Sequence, residues 1–342
     1  MDKINKRVDN LKFYNINMKC IVCNNSIKEE NFVEEYFSDI TKTKYKLYLC
    51  SKCGIGFFEP RKLDPSLYEE EAFDAYILFH LGLRSLYSNH RMFFRYFPKL
   101  TGNLKLLDVG CAEGMFIKEV NKKFPNIEVY GIDFDRKSIQ VAKEKFGLKN
   151  VYPFSLEEFY DYAVNRNLKF DIITFFEVLE HQTDPNKFLD ICKKLLNTNG
   201  YIAGSVPNSK SIFKGLGGYP PHHFLWFNKD SLYNVLKING FKDIEVYFVE
   251  QNIKELASVA QALIMGNLGL KLRSFVIKKL LKYDTTENKI SVNKYTANYL
   301  FGNDWRIKIF KLIKFIRDFS FIPLAIFLKP FLKNGLYFQC RI

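Results

Sequence analysis

This chain has no uncharged apolar run of about 18 residues anywhere in its 342, so it offers no ordinary membrane-spanning helix. Its first residues, Met1 to Asn10, are charged and polar and carry no apolar core of a secretory leader. No Gly-x-Gly-x-x-Gly fingerprint follows its first strand-like run, which argues against a dinucleotide site. Carboxylates are scarce: 37 Asp and Glu against 51 Lys and Arg leave a net charge of +14. That excess favours an acidic partner, whether nucleic acid, anionic lipid or a phosphorylated substrate. Apolar and aromatic content, at 47% and 16%, is ample and excludes a disordered chain. The length allows one full α/β domain plus additions.

Seven cysteines without a leader point to a reducing compartment and to metal rather than disulfides. Cys20-Ile-Val-Cys23 and Cys50-Ser-Lys-Cys53 are two C-x-x-C knuckles, each bending the chain so that two sulfurs face one ion. Their spacing predicts a four-thiolate zinc site, and the alternating residues around Cys50 and Cys53 predict the strands of a zinc ribbon. Four ligands leave no open position, so this zinc is expected to be structural.

Residues 104 to 120 read Leu-Lys-Leu-Leu-Asp-Val-Gly-Cys-Ala-Glu-Gly-Met-Phe-Ile-Lys-Glu-Val. An apolar run ends at Asp108, turns through Gly110, Ala112 and Gly114, and opens a helical pattern. Glycines let backbone approach a ligand, and a helix start presents N–H groups to an anion. The next apolar run ends in Val-Tyr-Gly-Ile-Asp133, and a carboxylate there suits two ribose hydroxyls. A nucleotide-like ligand follows.

At these residues the sequence resembles the class I S-adenosylmethionine-dependent methyltransferases: LLDVGCAEG looks like their first motif and YGID like their second. The resemblance implies that Asp108, Gly110, Ala112 and Gly114 surround the methionine end of S-adenosyl-L-methionine, that Asp133 holds its ribose, and that Ser155 and Leu156 contact adenine by a backbone amide and apolar packing. Glu177 is counted with this pocket. Ala112 stands where the family more often has glycine. The run from Cys50 to Arg61 also resembles the zinc-ribbon lead-in of bacterial methyltransferases attributed to sugar or natural-product modification.

Alternating patterns predict strands over 105–109, 128–132, 150–153, 170–175, 201–206 and 244–249, with helices over 114–123, 136–146, 184–196 and 229–239. The expected architecture is α/β: a Rossmann-like doubly wound sheet, an N-terminal zinc ribbon and a C-terminal helical extension. The resemblance adds a final antiparallel strand beside the fifth or sixth. Expected units are a flexible 1–17, the ribbon over 18–60, a helical connector over 61–100, the cofactor-binding domain over 101–252 and a basic amphipathic extension over 253–342. Aromatics between 76 and 97 are read as core or as a cap on the pocket.

Phe-Phe-Glu177-Val-Leu-Glu180-His181 follows the fourth strand. Wound as a helix, it sets Glu177, Glu180 and His181 on one face, able to hold a divalent cation or to offer His181 as a base. The Glu-x-x-Glu-His pattern is similar to that of ubiquinone-biosynthesis O-methyltransferases and of small-RNA 2′-O-methyltransferases, where it goes with magnesium or manganese; His223 is then a further ligand. The Gly-, Pro- and aromatic-rich loop 207–228 holds Pro221-His222-His223, which looks like the family's acceptor-side element. His223 and His222 are the first candidates for general base, and His181 the next. The opposing reading has Glu177 and Glu180 capping a turn and His181 packing on the sheet.

Residues 305–333 combine a basic amphipathic pattern with an apolar segment interrupted by Pro323 and Lys329, suited to an anionic membrane surface or to packing on the fold. The expected function is O-methylation of a small-molecule, glycan or lipid-linked acceptor by a cytoplasmic enzyme, peripheral at the inner face of the membrane. Two alternatives are an RNA 2′-O-methyltransferase and a non-catalytic zinc-ribbon membrane adaptor.

Overall fold

A computed structural model describes residues 18–62, 86–98, 100–211, 218–253, 255–257, 319–329 and 332–342. The cysteine-rich start folds as an antiparallel unit. β1 (Met18–Lys19) pairs with β2 (Ser26–Ile27), while β3 (Phe32–Ser38), β4 (Thr43–Leu49) and β5 (Gly56–Glu59) form a meander. In β4, Tyr45 and Leu47 point inward and Lys44 and Lys46 outward, the alternation a one-sided sheet requires.

Beyond it, strands and helices alternate. α1 (Ser88–Tyr96) buries Met92 and Phe93, so among the connector's aromatics Phe93 is core. Next come β6 (Lys105–Val109), α2 (Met115–Lys123), β7 (Glu128–Ile132), α3 (Arg136–Phe146), β8 (Val151–Tyr152), α4 (Leu156–Val164), β9 (Phe170–Phe176), α5 (Pro185–Leu195) and β10 (Leu196–Pro207). β11 (Leu225–Trp226), α6 (Lys229–Ile238), β12 (Lys242–Phe248), α7 (Ile322–Leu328) and β13 (Gly335–Arg341) complete the order. Helix starts follow local chemistry: Asp135 accepts from the amides of Lys137 and Ser138, and Asp184, followed by Pro185, accepts from Lys187.

The central sheet has the order β12-β13-β10-β9-β6-β7-β8. β6 to β10 run parallel, and β13 lies antiparallel between β10 and β12. This is the doubly wound arrangement, with the strand order reversing between β6 and β9, where a crevice opens at the carboxyl ends. The final antiparallel strand comes from residues 335–341, which corrects the expectation that everything after 252 is a helical extension. Its fully buried Tyr337 and Phe338 belong to the sheet's core.

Two further differences are local. α4, given no range in the sequence reading, follows the third strand at the helix start that Glu157 and Glu158 suggested, opened by Ser155 and Glu158 in a reciprocal cap. β10 begins at Leu196 rather than 201, with a register irregularity between Leu196 and Tyr201. Residues 1–17, expected to be flexible, connector residues 63–85 and the basic stretch 305–318 lie outside the described residues. Of the expected tail, α7 carries Pro323 in its first turn and leaves Ile326 and Phe327 exposed. Among the described residues no helix is long and apolar enough to cross a membrane.

Candidate active site

The loop between β6 and α2 is wound tightly by its own packing. Gly110 has φ +74° and Gly114 φ +80°. A Cβ on Gly110 would meet Val178 Cγ2 at 2.6 Å, and one on Gly114 would meet Leu148 Cδ1 at 2.3 Å. Both glycines are therefore demanded by conformation and by neighbouring side chains, not only by a ligand, as the sequence suggested. Ala112 also adopts a left-handed conformation, at φ +47°. Gly114 caps α2 without a side chain that could accept from the first-turn amides, which leaves that positive helix end to an anion.

Asp133, at the end of β7, turns toward this loop. Its Oδ2 accepts from the Ala112 amide at 2.9 Å and its Oδ1 from the Asp135 amide at 2.9 Å. Each oxygen keeps a second lone pair for a diol. Burial raises its carboxyl to about 6 in spite of these two bonds. Asp108 sits deeper, accepts from Thr174 Oγ1 at 2.7 Å, and is pushed by burial to about 8. That bond ties β6 to β9.

The adenine expectation needs correction. The Ser155 amide already donates to Glu158 Oε2 at 2.7 Å, and the Ser155 hydroxyl serves the α4 cap. Leu156 is buried in the core beside Phe159. Phe134, which sequence reasoning passed over, adjoins Asp133 and is 48% exposed; its apolar surface beside the acid was the available signal.

The segment after β9 is not the helix that would align three side chains. Glu177 takes φ +55°, and only Leu179–His181 forms a single 3-10 turn. Glu177 is thereby separated from Glu180: its Oε1 accepts from Ser205 Oγ at 2.7 Å, and Ser205 Oγ accepts from Asn89 Nδ2 at 3.1 Å. Glu177 remains open to solvent in the crevice, yet the protein surrounding it still raises its carboxyl. Neither Asn89 nor Ser205 was singled out from the sequence.

Glu180, His181 and His223 do come together. Glu180 Oε1 lies 3.8 Å from His181 Nε2 and 4.0 Å from His223 Nε2. The Glu180 side chain is 1% exposed, and neither of its oxygens has a hydrogen-bond partner. The imidazoles meet edge to face at 4.7 Å. His181 Nδ1 lies 2.6 Å from the His222 carbonyl, an acceptor that fixes the proton on Nδ1 and leaves the Nε2 lone pair facing Glu180. Burial lowers His181 to about 4 and holds His223 well below the usual imidazole range. Burial, then the Glu177 charge, raises Glu180 strongly. His222 joins through its carbonyl, although its ring was expected to be a base. A buried carboxyl group without hydrogen-bond partners beside two imidazoles is a donor set that fits a divalent cation.

In the ribbon, Cys20 Sγ and Cys53 Sγ are 3.6 Å apart and Cys23 Sγ and Cys50 Sγ 3.5 Å, with all four sulfurs within 4.8 Å of one another. A tetrahedron with Zn–S bonds of about 2.3 Å has edges of about 3.8 Å, so the set fits zinc.

The mostly parallel sheet, with one antiparallel strand inserted near its edge, has the class I, Rossmann-like arrangement. Residues 100–240 match the family described as methyltransferase domain. The chain is 37% identical over 119 residues to a ubiquinone biosynthesis O-methyltransferase of Pasteurella multocida, covering 32% of this chain and 48% of that protein. It is 29% identical over 109 residues to malonyl-[acyl-carrier protein] O-methyltransferase 1 of Ilyobacter polytropus, covering 32% and 40%. The chain thus spans about half the length of the curated relatives it matches. Among solved structures, phosphoethanolamine N-methyltransferase 2 of Haemonchus contortus superposes with a TM-score of 0.49 at 12% identity, over 90% of this chain and 71% of that one.

Proposed function

We propose that this chain binds S-adenosylmethionine in the crevice at the ends of β6, β7 and β9 and transfers its methyl group to an acceptor oxygen. The observation that carries the reading is the hydrogen bond from the Ala112 amide to Asp133, which aims a carboxylate at the β6–α2 loop. Asp133 then takes the ribose hydroxyls, the uncapped start of α2 takes the amino-acid carboxylate, and Phe134 offers a surface to adenine.

When bound, the sulfonium supplies an electrophilic methyl carbon. The chain's residues align the acceptor and receive its proton. An imidazole nitrogen of His223 or His181 would accept that proton as the C–O bond forms and the C–S pair returns to sulfur. Glu180, His181 and His223 would alternatively hold a magnesium or manganese ion, which acidifies a bound hydroxyl; the two imidazoles favour the transition ion. Glu177 stands outside this set.

For the acceptor we favour a carbohydrate or a lipid-linked intermediate, handled in the cytoplasm near the membrane. The O-methyltransferase names of the two relatives support oxygen as the target. Purified protein incubated with a cell extract and methyl-labelled cofactor tests this, with lipid, glycan and RNA fractions counted separately. Label in glycan or lipid is expected; label in RNA would move the acceptor to RNA, and no label together with no cofactor binding would defeat the enzyme.

A further inference from the structure

The zinc ribbon and the histidine loop share one sheet. β11 pairs antiparallel with β5, Leu225 opposite Phe57 and Trp226 opposite Gly56, and β5 starts three residues after the ligand Cys53. The approach is close: a Cβ on Gly56 would meet Trp226 Cβ at 3.0 Å. The ladder then continues into the catalytic side. The Phe58 amide donates to the Phe224 carbonyl at 2.9 Å, and the Phe224 amide donates to the Glu180 carbonyl at 3.0 Å. His223, the residue before Phe224, hangs from this ladder.

Side chains tie the same elements. Tyr219 stacks on Tyr36 of β3 with ring centroids 4.6 Å apart, and its hydroxyl donates to Glu34. Asn186 Nδ2 of α5 donates to the carbonyls of Ile21 and Val22, inside the first knuckle. Asn234 Nδ2 of α6 donates to the Cys53 carbonyl, inside the second. Cys20, Cys50, Cys53, Phe57 and Phe58 share a single buried cluster with Phe224 and Phe227. The cofactor loop is held differently: Gly110 and Cys111 donate to the Ile132 carbonyl, and Ala112 donates to Asp133.

We propose that the four-cysteine zinc centre positions the Glu180–His181–His223 cluster, so that metal loading of the ribbon sets the acceptor side while the cofactor pocket stands independently. A zinc ribbon gains its fold from the metal. Without zinc, β5 loses the knuckle that starts it, β11 loses its partner strand, and the ladder that fixes Phe224 against Glu180 is broken at one end. The wider role rests on the methyl-transfer reading, but the coupling itself does not.

Hydrogen exchange on the full chain tests it, comparing zinc-loaded protein, protein stripped by a chelator, and the stripped sample given zinc back. Loss of zinc should raise exchange of the 222–227 amides by about a hundredfold, and re-addition should reverse it. Binding of S-adenosylhomocysteine should stay within about threefold, because the loop and Asp133 keep their bonds. Glu180→Gln, whose cluster cannot hold a cation normally, should show the same exchange response, which separates ribbon zinc from any ion at the histidines. Cys23→Ser with Cys53→Ser should reproduce the stripped state. The proposal is overturned if residues 222–227 stay protected while β4 and β5 open, or if cofactor affinity is lost in parallel. Failure of the zinc-loaded protein to bind S-adenosylhomocysteine would instead sink the methyltransferase reading and leave the exchange result to decide the coupling.

Discussion

Asp133 and Ala112 are joined along one side of the crevice by a 2.9 Å hydrogen bond from the Ala112 amide to the carboxylate. The acid at the end of β7 is thus tied to the loop after β6, and the two strands' ends form one wall. Charged acceptors of this kind contribute more than neutral ones.

Replacing Asp133 by Ala removes the diol acceptor and the tie to Ala112 together. Hydrogen bonds to a charged group are worth about 1.5–3 kcal/mol each, so affinity for S-adenosylhomocysteine should fall about a hundredfold. Calorimetric titration at pH 7.5 reads this directly; unchanged affinity would remove Asp133 from the site.

The same carboxyl predicts a pH dependence. Burial raises it to about 6, and the ligand's hydroxyls prefer the ionised form. Affinity should be flat above about pH 7 and fall by up to about tenfold per unit below pH 6, as the proton competes. The sign for stability is opposite: a raised carboxyl favours the folded state at low pH, and that contribution is lost as pH climbs from about 4 through 6. A binding curve without a step near 6 contradicts the assignment.

A cation at Glu180, His181 and His223 should stabilise the folded chain by mass action. Adding manganese to the zinc-loaded protein should raise the Tm by about 3 °C or more. Glu180→Gln and His223→Ala should erase that rise while leaving S-adenosylhomocysteine bound. A wild-type Tm indifferent to manganese would leave the imidazoles as bases only.

Gly114→Ala tests the loop's packing. The new Cβ would sit 2.3 Å from Leu148 Cδ1 at a φ of +80°. Leu148 can yield at its flexible end, but the backbone cannot, so the cost should be about 1–3 kcal/mol. Urea unfolding measures it; a neutral result would mean the loop relaxes freely.

Much of the central sheet was legible in the chain. The runs 105–109 and 128–132 are strands at those same residues, and Asp184-Pro185 starts α5 as its cap chemistry requires. These signals are local: apolar periodicity and capping act within a few residues. The start of α4 was legible in Glu157 and Glu158, but its extent was not, because a short aromatic stretch follows the polar cap of Ser155 and Glu158. The site was legible in residue types but not in their grouping. A helical turn from Glu177 to His181 was the plain extrapolation, and a single left-handed residue at Glu177 ended it.

By itself the sequence determined the two cysteine knuckles, the loop with its following acid, and the order of strands and helices, because each is written in neighbouring residues. Only the tertiary structure decided that β13, from the far end of the chain, inserts between β10 and β12. It alone sent Glu177 to Ser205 while bringing His223 to Glu180, and it alone joined β11 to the ribbon. Such pairings close long loops, and their partners are chosen by which buried surfaces and backbone edges remain unsatisfied after the local elements form.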